Sequence, residues 1–225
     1  MRAIRQQAFR FSYRQRFVAA DFQPAPCNAA ALTWLARTGD WPEGRLALWG
    51  EPGSGKTHLL HLWAERTEGA VVLDWPLAGE AFDLPAHGGI ALDDIDAREH
   101  GAALLHLLNA ASEARLPVLM AGRAPPSRWP SRIPELASRL RAVAAAEIGA
   151  PDDELLRALL LRLAGERQLA IPEVVHEWLL RHLPRSPAAL REAVERLDEA
   201  AFAKGSAVTR PLAAIALAGM IDGPP

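Results

Sequence analysis

The segment that most constrains the fold of this chain runs from Gly50 to Thr57 and reads GEPGSGKT, which fits the pattern G-x-x-x-x-G-K-[ST]. It follows a short apolar segment at residues 46–49 and precedes a helical pattern at 58–65. Glycines in such a segment let backbone N–H groups turn inward around phosphates, and the helix N-terminus adds partial positive charge. The segment therefore predicts a P-loop nucleotide-binding protein, with ATP or ADP and Mg²⁺ as cofactors.

Two side chains at the end of this loop carry the predicted chemistry. The Lys56 ammonium is expected to reach the β- and γ-phosphates, and the Thr57 hydroxyl is expected to ligate magnesium. Only two of the 25 basic residues are lysines, Lys56 and Lys204, so a lysine kept in this loop fits a site that needs a compact ammonium. The predicted nucleotide-binding residues are Gly50, Pro52, Gly53, Ser54, Gly55, Lys56, Thr57, His58 and Asp93.

Short apolar segments alternate with helical patterns, which predicts an α/β fold with a five-stranded parallel sheet covered on both faces. The strand candidates are residues 46–49, 70–73, 90–92, 118–121 and 142–148, although the alanines of the last segment also suit a helix. From Pro151 onward the pattern contains helices only. We therefore predict an N-terminal arm at 1–22, an α/β nucleotide-binding domain at 23–149 and a small helical lid domain at 150–225.

A second motif ends the third apolar segment, where Ile90-Ala-Leu is followed by Asp93 and Asp94. An apolar strand that ends in two carboxylates has the Walker B form, in which Asp93 would hold magnesium and Asp94 would orient the attacking water. The same pattern also fits a strand that simply ends in solvated acids, but its position after the P-loop favours the functional interpretation. Thr57 and Asp93 are thus the predicted magnesium residues, and Asp96 is expected to cap the next helix.

Composition excludes several classes of protein. The 25 basic and 27 acidic residues give a net charge of −2, which argues against binding nucleic acid through overall charge. The single cysteine, Cys27, permits no intramolecular disulfide. No apolar run approaches the ~20 residues of a membrane span, and residues 1–11 lack the apolar core of a signal peptide. The sequence therefore predicts a cytoplasmic protein.

Five stretches of the chain resemble a known family. Residues 55–61 (GKTHLLH) and 92–95 (LDDI) are similar to the AAA+ core of the bacterial replication initiator DnaA. Residues 105–110 (LHLLNA), 133–140 (IPELASRL) and 186–200 narrow the resemblance to the Hda family, shorter relatives of the initiator. The resemblance implies an AAA+ P-loop NTPase fold with a C-terminal lid.

The resemblance also implies a function. Hda-like proteins bind the DNA-loaded sliding clamp of DNA polymerase III and promote hydrolysis of ATP on DnaA, which prevents re-initiation. Arg139 matches the arginine finger that such proteins insert in trans, where an arginine stabilises charge on the γ-phosphate. Because the chain stops at Pro225, without room for the initiator's helix-turn-helix domain, it is expected to reach DNA only through the clamp. A homodimer stays open, since AAA+ sites usually form between neighbours.

The family carries a clamp-binding peptide of the form Q-x-x-L-x-L near its N-terminus. In this chain the resemblance assigns Gln6, Phe9 and Phe11 to that role, with glutamine as the hydrogen-bonding residue and the phenylalanines as apolar anchors. An extended peptide with two anchors suits a groove on a partner. The alternative is an arm that packs on its own domain.

The sequence departs from the family at both sensor positions. Ala121 stands where sensor I places a polar side chain, and Ala188 aligns with the sensor II arginine, with Arg185 and Arg191 three residues to either side. These departures predict weak intrinsic hydrolysis and a protein that acts mainly as the activator of a partner's ATPase. The residues Phe22, Pro24 and Asn28 are expected near the adenine, and Arg123, Arg128 and Arg132 are expected to form either a basic rim or a solvated loop.

A second functional class remains open at this point. An autonomous AAA+ ATPase of the helicase-loader type, similar to DnaC or IstB, would use the same phosphate loop and would need competent sensors. A small-molecule P-loop kinase would need an acceptor pocket and an arginine lid, for which the helical C-terminal region gives no clear signal.

Overall fold

A computed structural model of the 225-residue chain describes residues 22–74, 83–97 and 101–221. Its centre is a sheet of five parallel strands in the order β2-β3-β4-β1-β5. The strands are β1 (Arg45–Trp49), β2 (Val71–Asp74), β3 (Ile90–Asp93), β4 (Val118–Gly122) and β5 (Ala144–Glu147). The predicted five-stranded parallel sheet is therefore confirmed, including the alanine-rich fifth strand.

Four helices cover the two faces of the sheet: α1 (Ala29–Leu35), α2 (Lys56–Arg66), α3 (Ala102–Glu113) and α4 (Pro134–Ala142). Alternate residues of β4 serve the two faces, because side chains of a strand point to opposite sides. Val118 and Met120 pack with α3 and α4, whereas Leu119 and Ala121 pack with α1 and α2. Every residue of β4 is buried, as expected for a central parallel strand.

The C-terminal part is a bundle of four helices: α5 (Asp153–Glu166), α6 (Glu173–His182), α7 (Pro187–Lys204) and α8 (Arg210–Ala216). Three of them begin at residues that cap the helix through their side chains. Asp152 accepts from the Leu155 amide at 2.8 Å, Ser186 from the Ala189 amide and Thr209 from the Leu212 amide. Apolar side chains from all four helices form one separate core. The division of the chain at residue 149 stays a prediction.

The side chains of Asn28 and Asp96 do not cap the α-helices that follow them in the structure, and for Asp96 the expectation is wrong. Asn28 precedes α1, but its side chain accepts from the Ala25 amide and donates to the Gln23 carbonyl instead of capping the helix. Asp96 lies in a 3-10 turn (Ile95–Ala97), and α3 begins only at Ala102, after Gly101. The Asn28 side chain bonds to residues that precede it, and the Asp96 side chain bonds to the amides of Arg123 and Ala124. Local sequence patterns do not specify such contacts.

No helix within the described ranges combines the length and apolarity that crossing a bilayer requires.

Candidate nucleotide-binding site

The phosphate loop joins the end of β1 to the start of α2, as the sequence motif predicts. Gly50 has φ +153°, and a Cβ atom built there would lie 2.4 Å from the Ile148 carbonyl oxygen. Gly53 has φ +76°, and its Cβ would lie 2.6 Å from the Cβ of Ala188 on α7. Both positions therefore require glycine, one because β5 ends beside the loop and the other because the lid touches it.

Lys56 is buried at the first residue of α2 and its ammonium is held by the loop itself. It donates to the carbonyl oxygen of Gly50 at 2.7 Å and to that of Glu51 at 2.9 Å. Burial is the main cause that lowers the pKa of Lys56, and the carboxylates of the neighbouring acidic segment oppose this shift. The acids at the end of β3 thus compensate electrostatically for a buried cation.

The two carboxylates after β3 differ in their surroundings. Asp93 is buried, and its Oδ1 accepts from the Asp94 amide at 2.9 Å. Asp94 is exposed, lines the cavity and has φ +46°, a left-handed conformation that aspartate tolerates better than most residues. The two acids are neighbours in the sequence, but only Asp94 is exposed and lines the cavity.

A cavity of about 340 Å³ lies between the phosphate loop and the lid. This is within the size range of small-molecule sites. Seven of the predicted nucleotide-binding residues line it: Pro52, Gly53, Ser54, Gly55, Lys56, Thr57 and His58. Gly50 and Asp93 are not among the lining residues. The remaining wall contains Phe22, Gln23, Asn28, Asp94, Arg123, Leu155, Leu159, Arg162, Pro187 and Arg191.

One end of the cavity is aromatic. The rings of Phe22 and His58 meet edge to face, with centroids 5.3 Å apart and an angle of 76°. Asn28, six residues after Phe22, also lines the cavity, and its neighbour Cys27 accepts from the Gly149 amide just after β5. Pro24 lies instead on a second cavity, of about 480 Å³, between α1 and α2. The aromatic end is therefore on the β5 side of the phosphate loop.

The lid contributes two arginines, Arg162 and Arg191, to the cavity lining. Arg191 of α7 lines the cavity, which matches one of the two substitutes considered for the missing sensor II arginine. Burial lowers the pKa of Arg191 most, and the nearby charge of Arg162 lowers it further. Arg185 lies outside the cavity lining, before α7, and pairs with Asp153 at 2.5 Å.

Arg162 is a cavity residue that sequence reasoning missed. It lies on α5, one turn after Leu159 and two turns after Leu155, and all three line the cavity. Its ion pair with Glu166 has an N–O distance of 3.2 Å. The spacing of three and four residues was visible in the sequence, but the direction in which α5 turns this face was not.

The two alanines at the sensor positions contribute no polar group. Ala121 is fully buried and pairs with Leu48 of β1. Ala188 lies beside Gly53, where its small side chain lets α7 approach the loop. A longer side chain at either position would have to displace packed neighbours.

Arg139 lies on α4 and is absent from the residues that line the cavity. Its guanidinium donates to Oδ1 of Asn109 on α3 and to Oε1 of Glu135, the latter at 2.7 Å. Its side chain retains 30% of its exposure. The cation is thus oriented by α3 and α4 and is still accessible from outside.

The oxygen groups of the cavity fit a magnesium ion that arrives with a nucleotide. Magnesium uses one or two protein oxygens together with phosphates and water, and does not need a complete protein cage. Thr57 and Asp94 line the cavity and, with Asp93 next to Asp94 at the end of β3, provide such a partial set. The described residues contain no cluster of three or more His, Cys, Asp or Glu that would form a cage.

The predicted clamp-binding residues Gln6, Phe9 and Phe11 lie outside the described residues.

Comparisons with known proteins agree with this architecture. Residues 152–217 match the family model described as "Hda, lid domain". Domain III of the DnaA replication initiator from Thermotoga maritima superposes with a TM-score of 0.74 and 18% identity, over 92% of this chain and 98% of that domain.

Two further structures show how widely the fold is shared. AMPPCP-bound DnaA from Aquifex aeolicus has a TM-score of 0.60 at 14% identity, covering 78% of this chain and 63% of that one. The RuvB Holliday junction branch migration motor from Thermotoga maritima has a TM-score of 0.62 at 18% identity, covering 86% and 66%. At these identities the likeness establishes the fold, and the lid match is the more selective finding.

Proposed function

Starting from an Hda/DnaA-like AAA+ protein with an Hda-type lid, we propose that this chain is a regulatory inactivator of DnaA. In this proposal it binds a nucleotide in its own cavity, binds the DNA-loaded sliding clamp, and supplies Arg139 to stimulate hydrolysis of the ATP bound to DnaA. The single observation that carries the proposal is the position of Arg139. It is an oriented, accessible arginine on the core domain that does not line the chain's own nucleotide cavity.

The nucleotide is proposed to be ADP or ATP with Mg²⁺. The phosphate loop and the N-terminus of α2 provide backbone donors for the α- and β-phosphates, and the Lys56 ammonium would reach the β- and γ-phosphates. Thr57 and Asp93 are the proposed magnesium residues, and the ion would neutralise part of the phosphate charge when bound. The Phe22–His58 end of the cavity provides an apolar and aromatic surface for the base. DnaA from Aquifex aeolicus, which shares the fold, binds the ATP analogue AMPPCP.

The role of Arg139 follows from the chemistry of its two partners. A guanidinium that is already held by Asn109 and Glu135 loses less conformational freedom when it meets a phosphate than a free side chain would. Its positive charge would stabilise the negative charge that develops on the γ-phosphate of DnaA-bound ATP during hydrolysis. An arginine finger of this kind is worth about 10³- to 10⁵-fold in rate in other NTPases.

The chain's own hydrolysis is proposed to be slow. Ala121 and Ala188 offer no polar contact to a nucleotide at the two sensor positions, so Asp94 lacks the usual partners for positioning water. The chain is then an activator of its partner's ATPase, and its own nucleotide acts as a structural ligand that joins the lid to the core.

Contact with DNA is proposed to be indirect. Gln6, Phe9 and Phe11 would bind the sliding clamp as an extended peptide, and the clamp would hold the protein near DNA. A homodimer would use the same surface around Arg139, so its assembly would compete with the binding of DnaA. Retention of the wild-type chain, but not of Gln6→Ala, on immobilised clamp tests the clamp contact.

The decisive experiment measures hydrolysis of DnaA-bound ATP with the clamp loaded on DNA. Wild-type protein is expected to accelerate it, Arg139→Ala to lose the acceleration, and Arg141→Ala to retain it. Arg141 is the matched control, because it is an exposed arginine on the same helix. Equal activity of the two variants would contradict the assignment. Rapid hydrolysis by the isolated chain without an effect on DnaA would favour the autonomous ATPase.

A further inference from the structure

Arg123 directly follows β4 and lines the cavity. It follows β4, which lies between β1 and β3, so it emerges between the phosphate loop and the acids after β3. It lines the cavity together with Lys56, Thr57 and Asp94. Ala121 is fully buried and Gly122 has no side chain, so Arg123 is the first residue after the sensor I position that can contact a ligand.

Three hydrogen bonds fix the backbone at Arg123 and Ala124, two to the Asp96 carboxylate and one from the Trp129 indole. Oδ2 of Asp96 accepts from the amides of Arg123 and Ala124, at 2.6 and 2.9 Å. From the other side, Nε1 of Trp129 donates to the Ala124 carbonyl at 2.7 Å. A Cβ atom on Gly122 would lie 3.0 Å from the Asp96 carboxyl carbon and from the Trp129 ring, so the glycine allows this close approach.

The Arg123 side chain adds a positive charge to the cavity lining. Among the residues that the structure describes, no hydrogen bond or ion pair engages its guanidinium. Burial is the largest cause that lowers the pKa of Lys56, and the positive charge of Arg123 lowers it further. Two cations that face one cavity repel each other, and a polyanion between them would turn this repulsion into attraction.

The position of Arg123 relative to the aromatic end indicates which phosphate it meets. β5 and β4 flank β1 on opposite sides, with the Phe22–His58 end near β5 and Arg123 after β4. A nucleotide with its base at the aromatic end would extend its phosphates across the loop toward Arg123. Its terminal phosphate would then be the one nearest to this cation.

We propose that Arg123, positioned by Asp96, binds the terminal phosphate of a nucleoside triphosphate and lets this site distinguish ATP from ADP. The guanidinium replaces the polar side chain that Ala121 does not supply, and its forked donors suit phosphate oxygens. A diphosphate leaves Arg123 without this contact. The inference rests on the proposed nucleotide binding, and it adds a residue that discriminates between the two nucleotides.

The test compares binding of ADP and of the non-hydrolysable analogue AMPPCP, both with Mg²⁺, by isothermal titration. Arg123→Ala is expected to bind AMPPCP about 10- to 100-fold more weakly, as for loss of a charge-assisted hydrogen bond, and ADP within about 3-fold of wild type. Arg128→Ala is the control, an exposed arginine after the same strand that does not line the cavity. Equal losses for both nucleotides, or no loss, would overturn the proposal.

Asp96 is tested as a positioning residue by loss and rescue. Asp96→Ala is expected to reproduce the selective loss of AMPPCP affinity, and Asp96→Asn to restore it, because the asparagine side-chain oxygen also accepts from backbone amides. A non-selective loss in Asp96→Ala, or a failed rescue, would reject this role. A wild-type chain that binds neither nucleotide would overturn the proposed function as well. Unchanged selectivity in Arg123→Ala alone would overturn only this inference.

Discussion

The Asn109–Arg139 hydrogen bond leads to a prediction that separates orientation of the arginine finger from its charge. Asn109→Ala removes the acceptor on α3 but leaves Arg139 and its partner Glu135 unchanged. The guanidinium then has one fixed contact instead of two and samples more directions. We expect stimulation of DnaA-bound ATP hydrolysis to fall although the cation is still present.

The magnitude follows from the surroundings of the two contacts. Hydrogen bonds to charged groups are worth about 1.5–3 kcal/mol, and partial exposure of Arg139 places this one at the low end, so stimulation should fall about 10- to 15-fold. The Glu135 contact is an exposed i, i+4 ion pair worth about 0.3–0.5 kcal/mol. Glu135→Gln should therefore lower stimulation by about 2-fold at most, because it removes the weaker of the two contacts that orient Arg139.

The assay is single-turnover hydrolysis of DnaA-bound ATP with loaded clamp, at saturating and subsaturating concentrations of each variant. An orientation effect lowers the maximal rate and leaves the concentration for half-maximal stimulation unchanged. Thermal unfolding checks that Asn109→Ala is folded. Unchanged or increased stimulation by this variant would refute the reasoning, as would a loss in Glu135→Gln as large as that in Asn109→Ala.

Three other predictions concern binding and stability. At 100-fold excess over its Kd, ADP should stabilise the wild type by about 2.7 kcal/mol in thermal unfolding and should not stabilise Lys56→Ala. The control is Lys204→Ala, which changes the only other lysine and should respond to ADP like wild type. Gly53→Ala should destabilise the chain by about 1–3 kcal/mol in urea titrations, because its φ is positive and its Cβ would overlap Ala188; an unchanged midpoint would contradict this. The pKa of Glu177 is lowered mainly by the hydrogen bond from Arg157, so its contribution to folding stability is present at neutral pH and is lost as pH falls below about 4.5. Acid unfolding of Glu177→Gln should therefore depend less on pH in that range than acid unfolding of the wild type.

The local patterns of the sequence determined the parts of the site that lie on one continuous segment. The loop before Lys56 and the acids after Ile90 follow from spacing alone, because each joins one strand to the turn or helix that follows it. Strand positions followed as well, since buried parallel strands are short, continuous apolar runs. These features depend on residues fewer than ten positions apart, so the sequence was sufficient to predict them.

Only the tertiary structure decided which distant side chains share the cavity. Arg162 and Arg191 reach it because α5 and α7 pack against the phosphate loop, and Arg123 reaches it because β4 lies between β1 and β3. Asp96, expected as a helix cap, instead binds two amides 27 and 28 residues later. The physical reason is that local spacing fixes the face of an element on which a residue lies, whereas sheet order and helix packing fix what that face meets.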